Sequence, residues 1–330
     1  TAYEIRLSLV GSEMCIRDSL SATPVTAPGI PNPYALSTSC FGTRLGHVQD
    51  QVFAAVGMGF RRIELGLSDA PAAMDGTDEA QRETGVEIVS MVAGCRDSAD
   101  RELPVTRLAS LDETVAERAV NSVRRHARLA KMWGCPTVVL RGSSIEDRAL
   151  RAEARSFEAR ALKDGVGPEL REEVGLYVQR VQRAGQPQLV NLCRALHELM
   201  TEFPDLAFAV EPGRYIDDLL GFDAMGWVLD DLARLRVSYW HDVGRVHMRE
   251  KQGLPKQERW LETYGRRMRG IHLQDAADDE TAMPIGLGEV DFQMVVEFTP
   301  KDALKVLELS SRHGRPEILS SVQFLLGMGF

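Results

Sequence analysis

Long apolar runs are missing from this chain: none approaches the roughly 20 residues that a bilayer-spanning helix needs, so no helical anchor is expected. Positive charge is also in deficit. The 39 lysines and arginines are outnumbered by 48 aspartates and glutamates, giving a net charge of −9. No global basic field is left to hold a nucleic acid. Cysteine is sparse and scattered: Cys15, Cys40, Cys95, Cys135 and Cys193 include no CxxC pair. That excludes a zinc-ribbon pattern and a disulfide framework, and fits a reducing cytoplasm. No GxGxxG follows the first strand-like segment and no GxxxxGK[ST] occurs, so neither nucleotide-binding fingerprint is present. What the chain does have is a globular balance, 44% hydrophobic and 26% charged over 330 residues. One barrel domain can fill that length.

The first nineteen residues read differently from the rest. TAYEIRLSLVGSEMCIRDS (Thr1–Ser19) has acidic residues and no apolar stretch of the secretory kind. It resembles a translated sequencing-library adapter. Thr1–Ile5 matches one frame of the adapter, Arg6–Ser8 its variable barcode, and Leu9–Ser19 the transposon end that follows. The segment is therefore expected to be non-native, fused to a truncated gene, with Met14 and Cys15 carrying no function. Leu20–Pro33, rich in Pro, Ala, Thr and Ser, reads as a linker or ragged start. Residues 34–330 read as a single barrel domain.

From Tyr34 onward short apolar runs alternate with longer amphipathic ones. Strands are expected at Tyr34–Ser39, Arg61–Leu67, Val86–Ala93, Thr137–Leu140, Leu206–Val210, Val237–His241, Gly270–Leu273 and Ala303–Leu309. Helices are expected between them, among them Gly46–Met58, Val115–Trp133 before Gly134, Asp218–Leu235 and Phe292–Phe298, with Glu317–Leu326 closing the chain. Ser144–Phe203 is the longest inter-strand segment, with helical breaks near Gly165–Gly167 and Gly185–Pro187. It is expected to act as a lid or as the interface of a homo-oligomer. Eight rounds of strand then helix predict a (β/α)8 TIM barrel carrying a helical insert between strands four and five. A doubly wound open sheet is the alternative.

Barrel enzymes place their chemistry at the C-terminal ends of the strands. Those ends carry Glu64, Arg141, Glu211, Asp242, His272 and Glu308 in chain order. Glu211, Asp242, His272 and Glu308 fall on four consecutive strands, which a closed barrel brings around one mouth. Three carboxylates and an imidazole suit a divalent cation: oxygen donors favour Mn²⁺ or Mg²⁺, and the histidine admits Co²⁺ or Zn²⁺.

These segments together resemble the xylose isomerase-like barrel superfamily of sugar isomerases and epimerases. The resemblance rests on GFRRIELGL (Gly59–Leu67), AFAVEPGR (Ala207–Arg214), WHDVG (Trp240–Gly244), GIHLQDA (Gly270–Ala276), PIGLGEVDF (Pro284–Phe292) and KVLELS (Lys305–Ser310). It implies that Glu211, Asp242, His272 and Glu308 hold the metal, Mn²⁺ above all, and that Glu211 and Glu308 form an acid–base pair. The implied chemistry is proton transfer next to a carbonyl through a metal-stabilised enediolate. Return of the proton to the opposite face gives epimerisation, and return to the neighbouring carbon gives isomerisation. Loss of a β-hydroxyl gives dehydration, as in inosose or dehydroshikimate dehydratases.

One departure from the family pattern stands out. Many relatives place a histidine three residues after the strand-six aspartate, where this chain has Arg245, with His247 two residues further on. Arginine grips carboxylate or phosphate in bidentate fashion, so Arg245 is expected to bind an acidic or phosphorylated substrate, or to pair with Glu211 or Asp275. His247, Glu64, Arg141 and Asp275 are further substrate-site candidates. Glu64 has an ion pair with Arg141 as its structural alternative. Asp275 is expected to bond either a metal-bound water, the ring of His272, or loop backbone. His241 should face away from Asp242, out of the barrel. Arg124, Arg125, Arg151, Arg155 and Arg160 read as solvated helix faces.

The leading expectation is a metal-dependent isomerase or epimerase of a sugar, sugar phosphate or polyol, acting in the cytoplasm without nucleic-acid or membrane partners. A dehydratase on the same barrel and a non-catalytic barrel that binds a sugar acid are the alternatives. The superfamily's endonuclease branch is demoted by the acidic charge.

Overall fold

The computed structural model describes residues 33–67, 73–95 and 107–330. The adapter-like segment Thr1–Ser19, and the linker up to residue 32, lie outside the described residues. Eight parallel strands close into a barrel in chain order: Tyr34–Ser37, Arg62–Leu65, Glu87–Val92, Thr137–Arg141, Ala207–Glu211, Ser238–Asp242, Met268–Leu273 and Leu304–Leu307. Every neighbouring pair is parallel, and the eighth strand closes on the first. This is the (β/α)8 barrel that the alternation predicts.

The period of two along each strand divides the side chains. Ala35, Val139, Ala209, Trp240 and Val306 form the cluster inside the barrel. Their neighbours Phe208, Val210, Tyr239, Ile271, Leu273 and Leu307 face outward into the larger core shared with the helices. Trp240 is fully buried and fills the interior, its ring 5.1 Å from that of His272. Gly270 is what makes room for it: a Cβ there would lie 2.4 Å from a carbon of the indole ring. Gly270→Ala is therefore expected to destabilise the barrel by about 1–3 kcal/mol, as overpacking does. Equilibrium denaturation measures this, and an unchanged midpoint would show that the indole does not fix the interior.

The long connection between strands four and five holds three helices, Arg148–Asp164, Pro168–Ala184 and Gln186–Glu202. The breaks fall where the glycines are. Gly165 adopts φ 71°, a left-handed conformation, and Gly185 separates the second helix from the third. Asp147 caps the first helix by accepting from the amides of Ala149 and Leu150. The third helix docks on Glu113–Met132 through Arg124, which pairs with Glu202 at 2.6 Å and with Glu198. It is thus the regular outer helix of the barrel. The first two helices pack on each other through Phe157 and Tyr177, ring centroids 5.3 Å apart, and they are the insert proper.

Most boundaries shift by one or two residues from the sequence expectation; three differ in a way that matters here, and one element is additional. The first strand ends at Ser37, where 3₁₀ turns at Thr38–Cys40 and Gly42–Arg44 take over. The expected helix Asp218–Leu235 is Phe222–Asp231, because Asp218 is drawn into a turn by accepting from Tyr215 N and Ser144 Oγ. The eighth strand is Leu304–Leu307, shorter than Ala303–Leu309, so Glu308 follows it instead of lying within it. A two-stranded hairpin, Asp275–Ala277 with Glu280–Met283, follows the seventh strand. Strands of three and four residues are too short for periodicity to register. Among the described residues no helix is long and apolar enough to cross a membrane.

Candidate metal centre

Register decides which strand ends meet. Strands four and five pair Arg141 with Glu211, strands six and seven pair Asp242 with His272, and strands seven and eight pair His272 with Val306. Glu308, two residues past Val306, donates its amide to Leu273 O at 3.1 Å. The side chains of Glu211, Asp242, His272 and Glu308 therefore converge at one mouth of the barrel. Each offers a ligand atom, and the four atoms lie within 4.8 Å of one another. Glu211, Asp242 and His272 have no exposed surface, and Glu308 is 6% exposed.

The imidazole has two different sides. His272 Nδ1 faces the carboxylates, 2.5 Å from Glu211 Oε1, 3.4 Å from Glu308 Oε2 and 3.8 Å from Asp242 Oδ2. Its Nε2 lies 2.9 and 3.0 Å from the two oxygens of Glu64. Glu64 is itself fully buried and accepts from Ser90 Oγ at 2.8 Å. Of the two expectations for Glu64, the structure corrects the ion pair with Arg141: its charged partner is His272. Glu64 makes no pair with Arg141 and lines neither cavity at the mouth. It sits deeper in the barrel and holds the back of the histidine ring.

Two arginines stand among the carboxylates. Arg141 Nε lies 2.9 Å from Glu211 and its Nη2 2.5 Å from Glu308. Arg245 lies 3.1 Å from Glu211 and 3.2 Å from Asp242. Of the two expectations for Arg245, the structure shows the pairing with Glu211, and its place at the cavity wall keeps it near any ligand. Asp242 Oδ1 also accepts from Arg245 N at 2.8 Å, capping the helix Val243–Lys251. One aspartate thus ends a strand, starts a helix and faces the centre.

The electrostatics follow from this crowding. Burial favours neutral forms, but at Glu211 it is outweighed by Arg245, Arg141 and His272, which hold its carboxyl well below the usual range. Glu308 is likewise lowered against burial, by Arg141, His272 and Arg245. Asp242 is pushed up to about 7, by burial first and then by Glu211 and Glu308, against the opposing pull of Arg245. His272 is raised well above its ordinary value: burial opposes the charge, but Glu308, Glu64 and Glu211 stabilise it. The cluster thus retains protons that a divalent cation on the same donors would replace. Three carboxylate oxygens and Nδ1 on one side, with Nε2 tied behind to a carboxylate, are a fitting donor set for such a cation.

The remaining candidates are placed elsewhere. Asp275 reaches neither His272 nor the centre. It accepts from the amides of Ala276, Gly286, Gly288 and Val290 at 2.8–3.1 Å, folding the glycine-rich GLGEV loop around itself. Of its expected roles it takes the loop role. His247 lines neither cavity and has Glu289 as its nearest carboxylate, at 3.9 Å. His241 faces away from the centre, as alternation requires. It bonds Tyr239 Oη through Nδ1 at 2.7 Å, and burial lowers its pKa to about 3.

Sequence reasoning passed over Gln274. Its Nε2 lies 3.1 Å from both oxygens of Asp242 and 3.2 Å from Glu308, while its Oε1 accepts from Ala282 N. It lies two residues after His272 on the same face of the chain, and that spacing was the available signal. Over the centre lies a cavity of about 240 Å³, walled by Arg141, Arg245, Gln274, Thr281 and Glu308. It adjoins a second of about 570 Å³, whose wall shares Arg141, Arg245 and Thr281.

No protein-family model matches this sequence, and no curated protein matches it. Solved structures do. A 3-keto-D-glucoside 4-epimerase from E. coli superposes with a TM-score of 0.58 at 12% identity, over 90% of this chain and 99% of that one. The IolI protein with a bound zinc atom gives 0.58 at 11%, over 89% and 97%. A xylose isomerase domain containing protein from Salmonella typhimurium gives 0.59 at 15%, again over 89% and 97%. At such identities the likeness is one of architecture, and the architecture is unambiguous: this chain has the fold of the xylose isomerase-like barrels.

Proposed function

We propose that this protein is a divalent-metal-dependent isomerase or epimerase of a sugar, sugar phosphate or sugar-like polyol, moving a proton on the carbon next to a carbonyl. The observation that carries the reading is the convergence of Glu211, Asp242, His272 and Glu308, with four ligand atoms inside 4.8 Å beneath an open cavity. The epimerase and the zinc-bearing protein among the similar structures support it. Mn²⁺ suits three oxygens and one nitrogen best.

The cation, when held there, supplies Lewis acidity that polarises a carbonyl and lowers the cost of negative charge beside it. The residues do the rest. Glu211, kept ionised by Arg245 and Arg141, can accept the proton of the C–H bond on one of its oxygens. Glu308 is bridged to Glu211 by Arg141. Against burial, Arg141, His272 and Arg245 favour its carboxylate, so it can return a proton to carbon from the other side only after taking one up from solvent, while Glu211 keeps the proton it removed. Arg141 and Arg245 face the cavity and can hold the developing oxyanion. Gln274 fixes the rotamers of Asp242 and Glu308 from the cavity side.

The test is proton exchange in D₂O with a panel of ketoses, inososes and sugar acids. Incorporation of deuterium next to the carbonyl should require added Mn²⁺ and should stop on chelation. A folded, chelated protein that exchanges at the same rate would overturn the proposal. Among products, an epimer, an isomer and an unsaturated ketone are distinguished by NMR.

A further inference from the structure

The larger cavity has an uneven charge that the proton-transfer centre does not use. Both acids in its wall are satisfied locally. Glu146 is paired with Arg107 at 3.3 Å and accepts from Ser110 Oγ, and Asp218 accepts from Ser144 Oγ and Tyr215 N with Arg249 3.8 Å away. Arg141 and Arg245, where the two cavities meet, are balanced by the carboxylates of the centre. Two wall cations remain. Arg151, in the first turn of the helix Arg148–Asp164, and Arg214, just after strand five, form no ion pair with a carboxylate among the described residues. Arg214 donates one guanidinium nitrogen to the carbonyl of Asp279, yet its Nε is buried without a partner. A buried, unbonded guanidinium N–H is costly unless something accepts from it. At one end of the composite cavity the arginines are thus paired with carboxylates, and at the other two arginines have no carboxylate partner among the described residues.

We infer that the 570 Å³ cavity is an anion subsite: Arg151 and Arg214 bind a carboxylate or phosphate group at the far end of a substrate whose carbonyl lies at the Glu211–Glu308 centre. This rests on the proton-transfer reading for the near end and narrows its substrate class to polyhydroxylated carbonyl compounds that carry a distal anion. Arg151 shows that a residue resembling a solvated helix face can line a wall once the insert folds over the barrel mouth. Guanidinium forks match both anions in geometry, so the test uses one probe for each.

Inorganic phosphate and malonate are titrated calorimetrically into the full chain in chloride buffer containing chelator, and the proton-exchange assay is run in parallel on the Mn²⁺-supplied protein. The wild type should bind at least one of the anions, phosphate if the subsite takes an ester and malonate if it takes a carboxylate. Arg151→Gln and Arg214→Gln should each weaken that binding by roughly tenfold, and the double variant should abolish it. Arg151 is exposed, so its variant keeps the test informative even if Arg214→Gln impairs folding. Absence of binding to the wild type, or equal binding to the double variant, overturns the subsite. Exchange that persists without anion binding counts against the subsite alone. Anion binding without any exchange leaves the subsite standing and counts against the proton-transfer reading.

Discussion

Glu211→Gln and Glu308→Gln are each expected to slow metal-dependent proton exchange by about 10²–10⁴-fold, the contribution of a positioned general base or acid, with the fold intact. The reason lies in what the amide keeps and what it loses. Glutamine retains the size of the side chain and one oxygen that can still accept from Arg141, so the packing of the mouth changes little. It cannot take up a proton at neutral pH, and it is a poorer ligand for a hard cation. The two variants should differ in a second reading. Glu211 touches Arg141, Arg245 and His272, and its neutralisation leaves two guanidinium groups short of a partner. Glu308→Gln leaves Arg141 its bond to Glu211 and otherwise touches only the longer contacts of Glu308 with His272 and Gln274. The Glu211 variant should therefore lose more thermal stability than the Glu308 variant. Exchange rates followed by NMR at saturating Mn²⁺, beside unfolding curves of the same proteins, check both points. Either variant exchanging within about threefold of wild type would remove that glutamate from the proton path.

The second large effect is expected at a residue that reaches neither cation nor substrate. Glu64→Gln should weaken Mn²⁺ binding by about 10–100-fold, as loss of a carboxylate behind a ligating histidine does, while activity at saturating metal falls much less. Glu64 receives Nε2 of His272 on both of its oxygens and is itself held by Ser90. A negative acceptor at that place keeps the proton on Nε2, so that Nδ1 presents its lone pair toward Glu211, Asp242 and Glu308. A glutamine can donate as well as accept, so the ring is free to take the other tautomer or to turn. Glu64 is thus a positioning residue, and two measurements separate this from a merely structural role. Calorimetric titration with Mn²⁺ reads the affinity, and ¹⁵N chemical shifts of the His272 ring read its tautomer. Unchanged affinity with an unchanged ring spectrum would end this account. Ser90→Ala should give the same changes at smaller size, because Ser90 steadies only one oxygen of the carboxylate.

Much of the architecture was legible in the sequence because it rests on local, repeated signals. Eight apolar strand segments separated by amphipathic stretches leave few alternatives to a closed parallel barrel. The glycines at 165 and 185 marked the helix breaks of the insert, since helices stop where the chain turns left-handed or loses a side chain to pack. The placement of Glu211, Asp242, His272 and Glu308 at one mouth was legible too, since strand ends in a barrel share a rim and alternation sends their side chains inward. What the sequence leaves undecided concerns residues whose partners are distant in the chain. For Asp275 the sequence admits a metal-bound water, the ring of His272 or loop backbone, and the structure gives it loop amides up to fifteen residues on. The companion of His272 is Glu64, 208 residues earlier. Arg151 resembled any exposed helical arginine, and only the folding of the insert over the mouth gives it a wall to line.

The sequence by itself determined the barrel, its insert and the set of side chains at its rim, because period-two and helical patterning and the chemistry of individual strand ends are properties of short stretches. Only the tertiary structure decided which of those side chains touch. Strand register aligned Arg141 with Glu211 and Asp242 with His272, barrel closure brought Glu64 behind the imidazole, and the fold set the two cavities side by side at Arg141, Arg245 and Thr281. Contacts across hundreds of residues depend on how the barrel closes, which is a property of the whole sheet.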